Sequence, residues 1–232
     1  MALASLCCGM CSHAGFLPQF DRMVLLMRHA ERGEVTDIRT SAAAMLTEQG
    51  KTDALLCGRM LGNHFGQIAF WHSPAPRCET TAFLLAGEAS RSRRSRVAGA
   101  LPWLGGDFIG GDPDLINNEI SVHGQGGFLR RWFGGRYAPT DIAPLARCAA
   151  FELNQALRQL QGLQRGVIVD VTHDWHLVFL REAYMDLRHE EVGTPPYLDS
   201  VAILQQQDRL IMWSLGRTVR LPDLIVGAVN PA

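Results

Sequence analysis

The chain has 232 residues, 47% of them hydrophobic and 19% charged, with a net charge of −1. That length and apolar content suit one ordinary α/β domain with its own core. The near-neutral balance offers no global field to a polyanion, so composition gives nucleic-acid binding no support.

Residues 1–22 are expected to form a flexible leader ahead of a single domain over 23–232. Met1 to Phe16 is mildly apolar but has no basic start and no unbroken apolar block, which makes it a poor signal peptide. Cys7, Cys8, Cys11 and His13 lack the second cysteine-rich half of a zinc site, and no metal is expected there. The other cysteines, Cys57, Cys78 and Cys148, are scattered, so no disulfide framework emerges. No segment reaches the ~18 apolar residues of a membrane span. A cytoplasmic protein with reduced thiols is the simplest reading, with no membrane partner and an oligomeric state left open.

Three short apolar runs read as interior parallel strands: Met23 to Met27, Gln67 to Trp71 and Gly166 to Val171. Between them lie helical spacings. From Thr47, a plausible N-cap, Ala54, Leu55, Gly58 and Leu61 fall on one face, and Cys57 and Cys78 fall within predicted helices. Ile142, Leu145, Ala149, Leu153, Ala156, Leu160 and Leu163 predict a longer helix capped by Asp141. Leu177, Leu180, Ala183, Tyr184 and Leu187 stripe a third from Trp175 to Leu187. Val201 to Leu204 and Leu210 to Trp213 look like a closing hairpin. Strands alternating with helices argue a three-layer α/β/α sandwich with a mostly parallel central sheet.

Two segments stand outside this pattern. Arg91 to Arg96 is a basic run, expected to be a solvated connection rather than an anion site. Leu101 to Thr140 has no sustained period and carries aromatics and arginines, among them Phe108, Phe128, Trp132, Arg130 and Arg131. It reads as a cap over the sheet rim that holds the organic part of a ligand, although any single aromatic there more often simply packs on the sheet.

Each of the three strands is followed at once by polar residues: Arg28, His29 and Arg32; Ser73 and Arg77; His173 and Asp174. Ligands of open α/β sheets bind at the carboxyl ends of the strands, so these residues are expected to meet at one rim. Two imidazoles, three guanidiniums and a carboxylate suit a phosphate group. Neutral imidazole is already nucleophilic near pH 7, and guanidinium forks match phosphate oxygens. His29 is the candidate nucleophile, Arg28, Arg32 and Arg77 the candidate phosphate ligands, His173 a donor to a remaining oxygen, and Asp174 the general acid. No cofactor or metal is expected, because arginines supply the positive clamp.

The same residues resemble the histidine phosphatase superfamily, which includes the cofactor-dependent phosphoglycerate mutases and the histidine acid phosphatases. Leu25 to Glu31 is similar to the family's Arg-His-Gly signature with Ala30 in place of the glycine. Leu46-Thr47-Glu48-Gln49-Gly50 resembles its Leu-Thr-x-x-Gly helix start, and Ser73 to Ala82 its Ser-x-x-x-Arg-x-x-x-Thr-Ala block. The resemblance implies a phosphoglycerate mutase-like fold, phosphorylation of His29, and a phosphate pocket completed by Arg28, Arg77 and His173. It implies a phosphatase acting on a small phosphorylated substrate, with a phosphomutase or a catalytically silent phospholigand-binding module as alternatives. For the proton donor, an acid directly after the second histidine favours Asp174, and a mutase-like loop offers Asp107 and Glu119.

Overall fold

The computed structural model describes residues 18–35, 37–92, 94–106, 108–110 and 112–222. Asp107 and the cysteine cluster at Cys7, Cys8 and Cys11 with His13 lie outside them. In chain order, β1 (Arg22–Arg28) leads through a 3-10 turn at Ile38–Ala43 to α1 (Glu48–His64), β2 (Gln67–His72), α2 (Pro76–Ala89) and β3 (Arg94–Ala100). A second 3-10 turn at Pro102–Gly105 precedes α3 (Pro113–Phe133) and α4 (Leu145–Gly162). Then come β4 (Gly166–Thr172), α5 (Asp174–Tyr184), α6 (His189–Val192), β5 (Ser200–Gln206), β6 (Arg209–Ser214) and β7 (Arg217–Arg220).

The seven strands form one sheet in the order β3-β2-β4-β1-β5-β6-β7. β3, β2, β4 and β1 run parallel, and β5, β6 and β7 continue antiparallel from β1. The central strands are buried on both faces, as their unbroken apolar sequences require. Met23, Leu25 and Met27 of β1 face a core closed by α1 and α2 through Cys57, Leu61, Cys78 and Leu85. Val24 and Leu26 point the other way, onto Leu153, Leu157 and Leu160 of α4 and Leu177 and Leu180 of α5. Each such leucine contributes roughly 1.5–3 kcal/mol on burial. The three-layer sandwich expected from the alternating pattern is therefore the observed one. No helix of the described residues is long and apolar enough to cross a membrane.

Thr47 caps α1 as its position predicts, accepting the Gly50 N–H at 2.9 Å. Gly50 is required for a different reason: a Cβ there would stand 2.1 Å from the Glu31 carbonyl oxygen. The start of α1 thus lies directly on the loop that follows β1, and Thr47 N–H donates to that same carbonyl at 3.0 Å. Gly50→Ala is expected to lower stability by about 1–3 kcal/mol, as overpacking does. The loop carrying His29 would shift with it, so calorimetry should show a lower Tm and any turnover should fall together. An alanine variant with unchanged Tm would mean that this contact yields freely.

Several expectations need correction. The helix read from Ile142 begins at Leu145, with Pro144 at its N-cap. Ile142 instead bridges to Ile109, which leaves Asp141 outside the helix as a turn residue. The helix read to Leu187 ends at Tyr184, because Asp186 adopts φ 50, a left-handed backbone that stops it. The basic run is not merely a connection: Arg94 and Arg96 belong to edge strand β3, and Arg91 pairs with Glu88 at 3.0 Å. The stretch from 101 to 140 is no irregular loop. Its core is α3, 21 residues long and kinked at Gly124, where φ is 68. Phe128 and Trp132 pack with Cys148 and Ala149 of α4 and Phe179 of α5. These aromatics are therefore structural, and they rest on helices rather than on the sheet.

Candidate active site

His29, Ser73 and His173 stand at the carboxyl ends of β1, β2 and β4, neighbouring strands in the sheet. Backbone ties fix their register. His29 N–H donates to the Thr172 carbonyl at 2.9 Å, and Ser73 N–H to the Val171 carbonyl at 2.9 Å. Ala30 N–H donates to Thr81 Oγ1 at 3.1 Å, which ties the loop after β1 to α2. Ala30 is fully buried and lies outside the left-handed backbone region, so its methyl group is accommodated where the signature has glycine.

Arg77, in the first turn of α2, joins the parts. Its Nε donates to His29 Nε2 at 3.1 Å, its Nη2 contacts His173 Nδ1 at 3.1 Å, and its Nη1 donates to the Ser41 carbonyl in the 3-10 turn. The two imidazoles meet edge to face with ring centroids 5.5 Å apart. His29 Nδ1 lies 2.7 Å from the Ala30 carbonyl oxygen, a partner that can only accept. The proton therefore sits on Nδ1, and the Nε2 lone pair is directed at Arg77. By the same reasoning His173 Nδ1 accepts from Arg77, and its Nε2–H donates to Ser73 Oγ at 3.0 Å.

Burial sets the charge state of both rings. His29 is held well below the usual histidine range by desolvation first; the Ala30 carbonyl, next in size, opposes it, and Arg77, Arg28 and Arg32 add to the lowering. His173 is lowered for the same leading reason, with Arg77 next. Both rings are neutral at neutral pH. Burial likewise lowers Arg77, yet a guanidinium keeps its proton throughout the working range.

Arg28 is held on three sides. Its Nη1 donates to the Pro195 carbonyl, its guanidinium carbon stands 4.2 Å from the Tyr197 ring centroid, and its Nη2 pairs with Asp174 Oδ2 at 3.1 Å. The other Asp174 oxygen accepts the Trp175 N–H at 3.0 Å. Arg32 Nη1 donates to the neighbouring Gly33 carbonyl at 2.8 Å, and Arg32 reaches the same space. A cavity of about 640 Å³ is lined by Arg28, His29, Arg32, Arg77, His173 and Asp174. Arg28, His29, Arg32, Arg77, His173 and Asp174, grouped from the sequence, thus border one space. Glu119 does not. It accepts from Tyr137 Oη and from Arg131 Nε at 2.8 Å, and the Tyr137 hydrogen bond first, joined by Arg131 against the opposing pull of burial, leaves its carboxyl below the ordinary value.

The cap closes the cavity with Ile116, Asn117, Ile120, Ser121 and Gln125 of α3. The expected arginines do not take part: Arg130 pairs with Glu182 and Glu190, and Arg131 with Glu119. Sequence reading missed Tyr197, Ser41, Arg39 and His176. A backbone carbonyl such as that of Ser41 has no sequence signal, and His176 sits among the apolar residues of α5. The Pro195-Pro196-Tyr197 run was the one legible cue, a rigid aromatic turn just before a strand.

No protein-family model matches the sequence, and no curated protein matches it. Solved structures do share the fold. A phosphoserine phosphatase from Entamoeba histolytica, in complex with 3-phosphoglyceric acid, superposes with a TM-score of 0.58 at 15% identity, covering 83% of this chain and 95% of that one. A phosphoglycerate mutase from Bacillus anthracis gives 0.53 at 15% identity over 87% and 92%. A mycobacterial glucosyl-3-phosphoglycerate phosphatase gives 0.52 at 18% identity over 78% and 89%. The likeness is one of fold, and it is the fold to which the sequence motifs pointed.

Proposed function

From this phosphoglycerate mutase-like fold of the histidine phosphatase superfamily, and the site it carries, we propose that the chain hydrolyses a phosphomonoester through a phosphohistidine on His29. The observation that carries this reading is the Arg77 fork, 3.1 Å from His29 Nε2 and 3.1 Å from His173 Nδ1. Such a fork holds a phosphoryl group between two imidazoles, with one of them free to attack. The Nε2 lone pair of His29 forms the N–P bond while the P–O bond to the leaving group breaks. Arg28, Arg32 and Arg77 neutralise the phosphoryl oxygens, a preorganised clamp worth several kcal/mol in such sites. Asp174 gives its proton to the leaving oxygen, and water then attacks phosphorus and releases His29.

The reading makes the enzyme independent of divalent metal, with a small phosphorylated substrate and no nucleic acid. A cytoplasmic setting belongs to it, in keeping with the buried free thiols of Cys57, Cys78 and Cys148. A screen of phosphorylated metabolites with EDTA present tests it. Phosphate release unaffected by chelation is expected, and loss of all activity would overturn the arginine clamp.

Asp174 has its own test. Asp174→Asn is expected to slow alkyl phosphates by about 10²- to 10⁴-fold and p-nitrophenyl phosphate far less, since a good leaving group needs no proton. Equal losses on both esters would remove Asp174 from proton donation. The pH profile follows from the rings. Because His29 is held below 6.5, its attacking form persists through mildly acidic pH, and kcat/KM should not drop near 6.5 on the acid side. It should fall instead toward alkaline pH. The same lowering makes folding less favourable as pH falls below about 6.5, where the unfolded chain takes up protons that His29 and His173 refuse.

A further inference from the structure

The lining of the cavity is sorted by burial. Away from the groups that grip and attack phosphorus, the polar side chains Arg39, Ser121 and Gln125 are exposed, as at a mouth. The rest of the wall is apolar: Val35, Phe108, Ile109, Ile116, Ile120 and Trp175. Phe108 and Ile116 are buried members of the aromatic cluster between α3, α4 and α5, and Ile109, Ile120 and Trp175 pack on that cluster while staying half-buried. Together with half-buried Val35, from the loop after β1, they turn apolar surface toward the space. Water against such surface is unfavourable, and an apolar ligand replaces it.

Little on this wall serves hydroxyl groups. Asn117 Nδ2 donates to Asp37 Oδ1 at 2.8 Å, and Arg39 pairs with Asp37 at 2.6 Å and with Asp114 at 3.1 Å. A polyhydroxylated group set against valine and isoleucine would leave its hydroxyls unpaired, at a cost for each. Direction and size point the same way. Trp175 follows Asp174 directly, so a leaving group protonated by Asp174 departs beside an indole that lines the cavity. The space, at about 640 Å³, far exceeds a phosphoryl group and falls within the roughly 300–1,000 Å³ of pockets that enclose organic ligands.

We propose that the phosphomonoester carries an apolar organic part, a hydrocarbon ring or branched chain, seated on Val35, Ile109, Ile120 and Trp175, and that these side chains select it over sugar phosphates. The inference rests on the phosphatase reading and narrows its substrate class.

The test compares kcat and KM for cyclohexylmethyl phosphate and glucose 6-phosphate. Both are primary esters on a six-membered ring, so they differ chiefly in hydroxyl groups and ask the same of Asp174. Wild type is expected to favour the cyclohexyl ester about tenfold or more in kcat/KM. Ile120→Asn should lower that preference about tenfold, through KM of the cyclohexyl ester, whereas Ile120→Leu should keep it within about threefold. Equal or better use of glucose 6-phosphate by wild type, or a preference unchanged in Ile120→Asn, overturns the inference and leaves the phosphatase reading standing. Val35→Thr, which keeps the side-chain shape and puts a hydroxyl in place of a methyl, decides in the same way if Ile120→Asn fails to fold, with an expected loss of about threefold or more. Wild type that releases phosphate from neither ester nor from p-nitrophenyl phosphate would instead bring down the phosphatase reading itself.

Discussion

His29→Ala is expected to lower kcat by about 10⁴- to 10⁶-fold, the range seen when a covalent nucleophile is removed. The substitution deletes the atom proposed to attack, since Nε2 faces Arg77 at 3.1 Å while Nδ1 is committed to the Ala30 carbonyl at 2.7 Å. Affinity for inorganic phosphate should survive within about tenfold, because Arg28, Arg32 and Arg77 remain and each accounts for part of the electrostatic grip. Rate measurement with an aryl phosphate, beside calorimetric titration with phosphate, separates the two effects. A variant releasing phosphate at the wild-type rate would make the chain a phospholigand-binding module.

Arg77→Lys is expected to lower kcat/KM by about 10²- to 10³-fold although it keeps the charge. Lysine offers a single ammonium point where arginine offers a planar fork. That fork serves three partners at once: the Ser41 carbonyl, His29 Nε2 and His173 Nδ1. An ammonium cannot span them, so each ring keeps only its other partner, the Ala30 carbonyl for His29 and Ser73 Oγ for His173, and the link between the rings is lost. Arg28 makes a useful contrast. It is gripped by Pro195, Tyr197 and Asp174, and belongs to the wall of the site rather than to the link between the rings. Near wild-type kinetics for Arg77→Lys would mean that charge alone matters at this position.

The meeting of these polar residues at one rim was legible because its physics is local. Buried parallel strands need unbroken apolar runs, and the residues directly after β1, β2 and β4 must emerge at one edge of the sheet. Arg28, His29, Arg77, His173 and Asp174 could therefore be grouped without knowing the strand order. Thr47 and Gly50 were legible too, although the reason for Gly50, its approach to the Glu31 carbonyl, shows only in three dimensions.

Other parts left weak traces. α3 escaped notice because Gly124 breaks its period and its apolar side chains fall into a separate cluster with α4 and α5. β3 is an edge strand whose arginines face solvent, so its sequence, Arg94-Ser95-Arg96-Val97-Ala98, carries little of the apolar alternation that marks a strand. Pro144 ended the apolar pattern read from Ile142, yet three- and four-residue intervals run through it unmarked. Glu152 and His176 stand 24 positions apart, on different helices, each among apolar neighbours. Only packing reveals that they touch, at 2.8 Å, and of the two only His176 borders the cavity.

The most direct measurement is rapid-quench labelling with a ³²P-aryl phosphate, followed by peptide mapping of the trapped protein. Label that is acid-labile and base-stable, confined to the peptide holding His29 and absent from His29→Ala, is the expected result. Continuing turnover with the label on any other residue would contradict the phosphohistidine mechanism at its root.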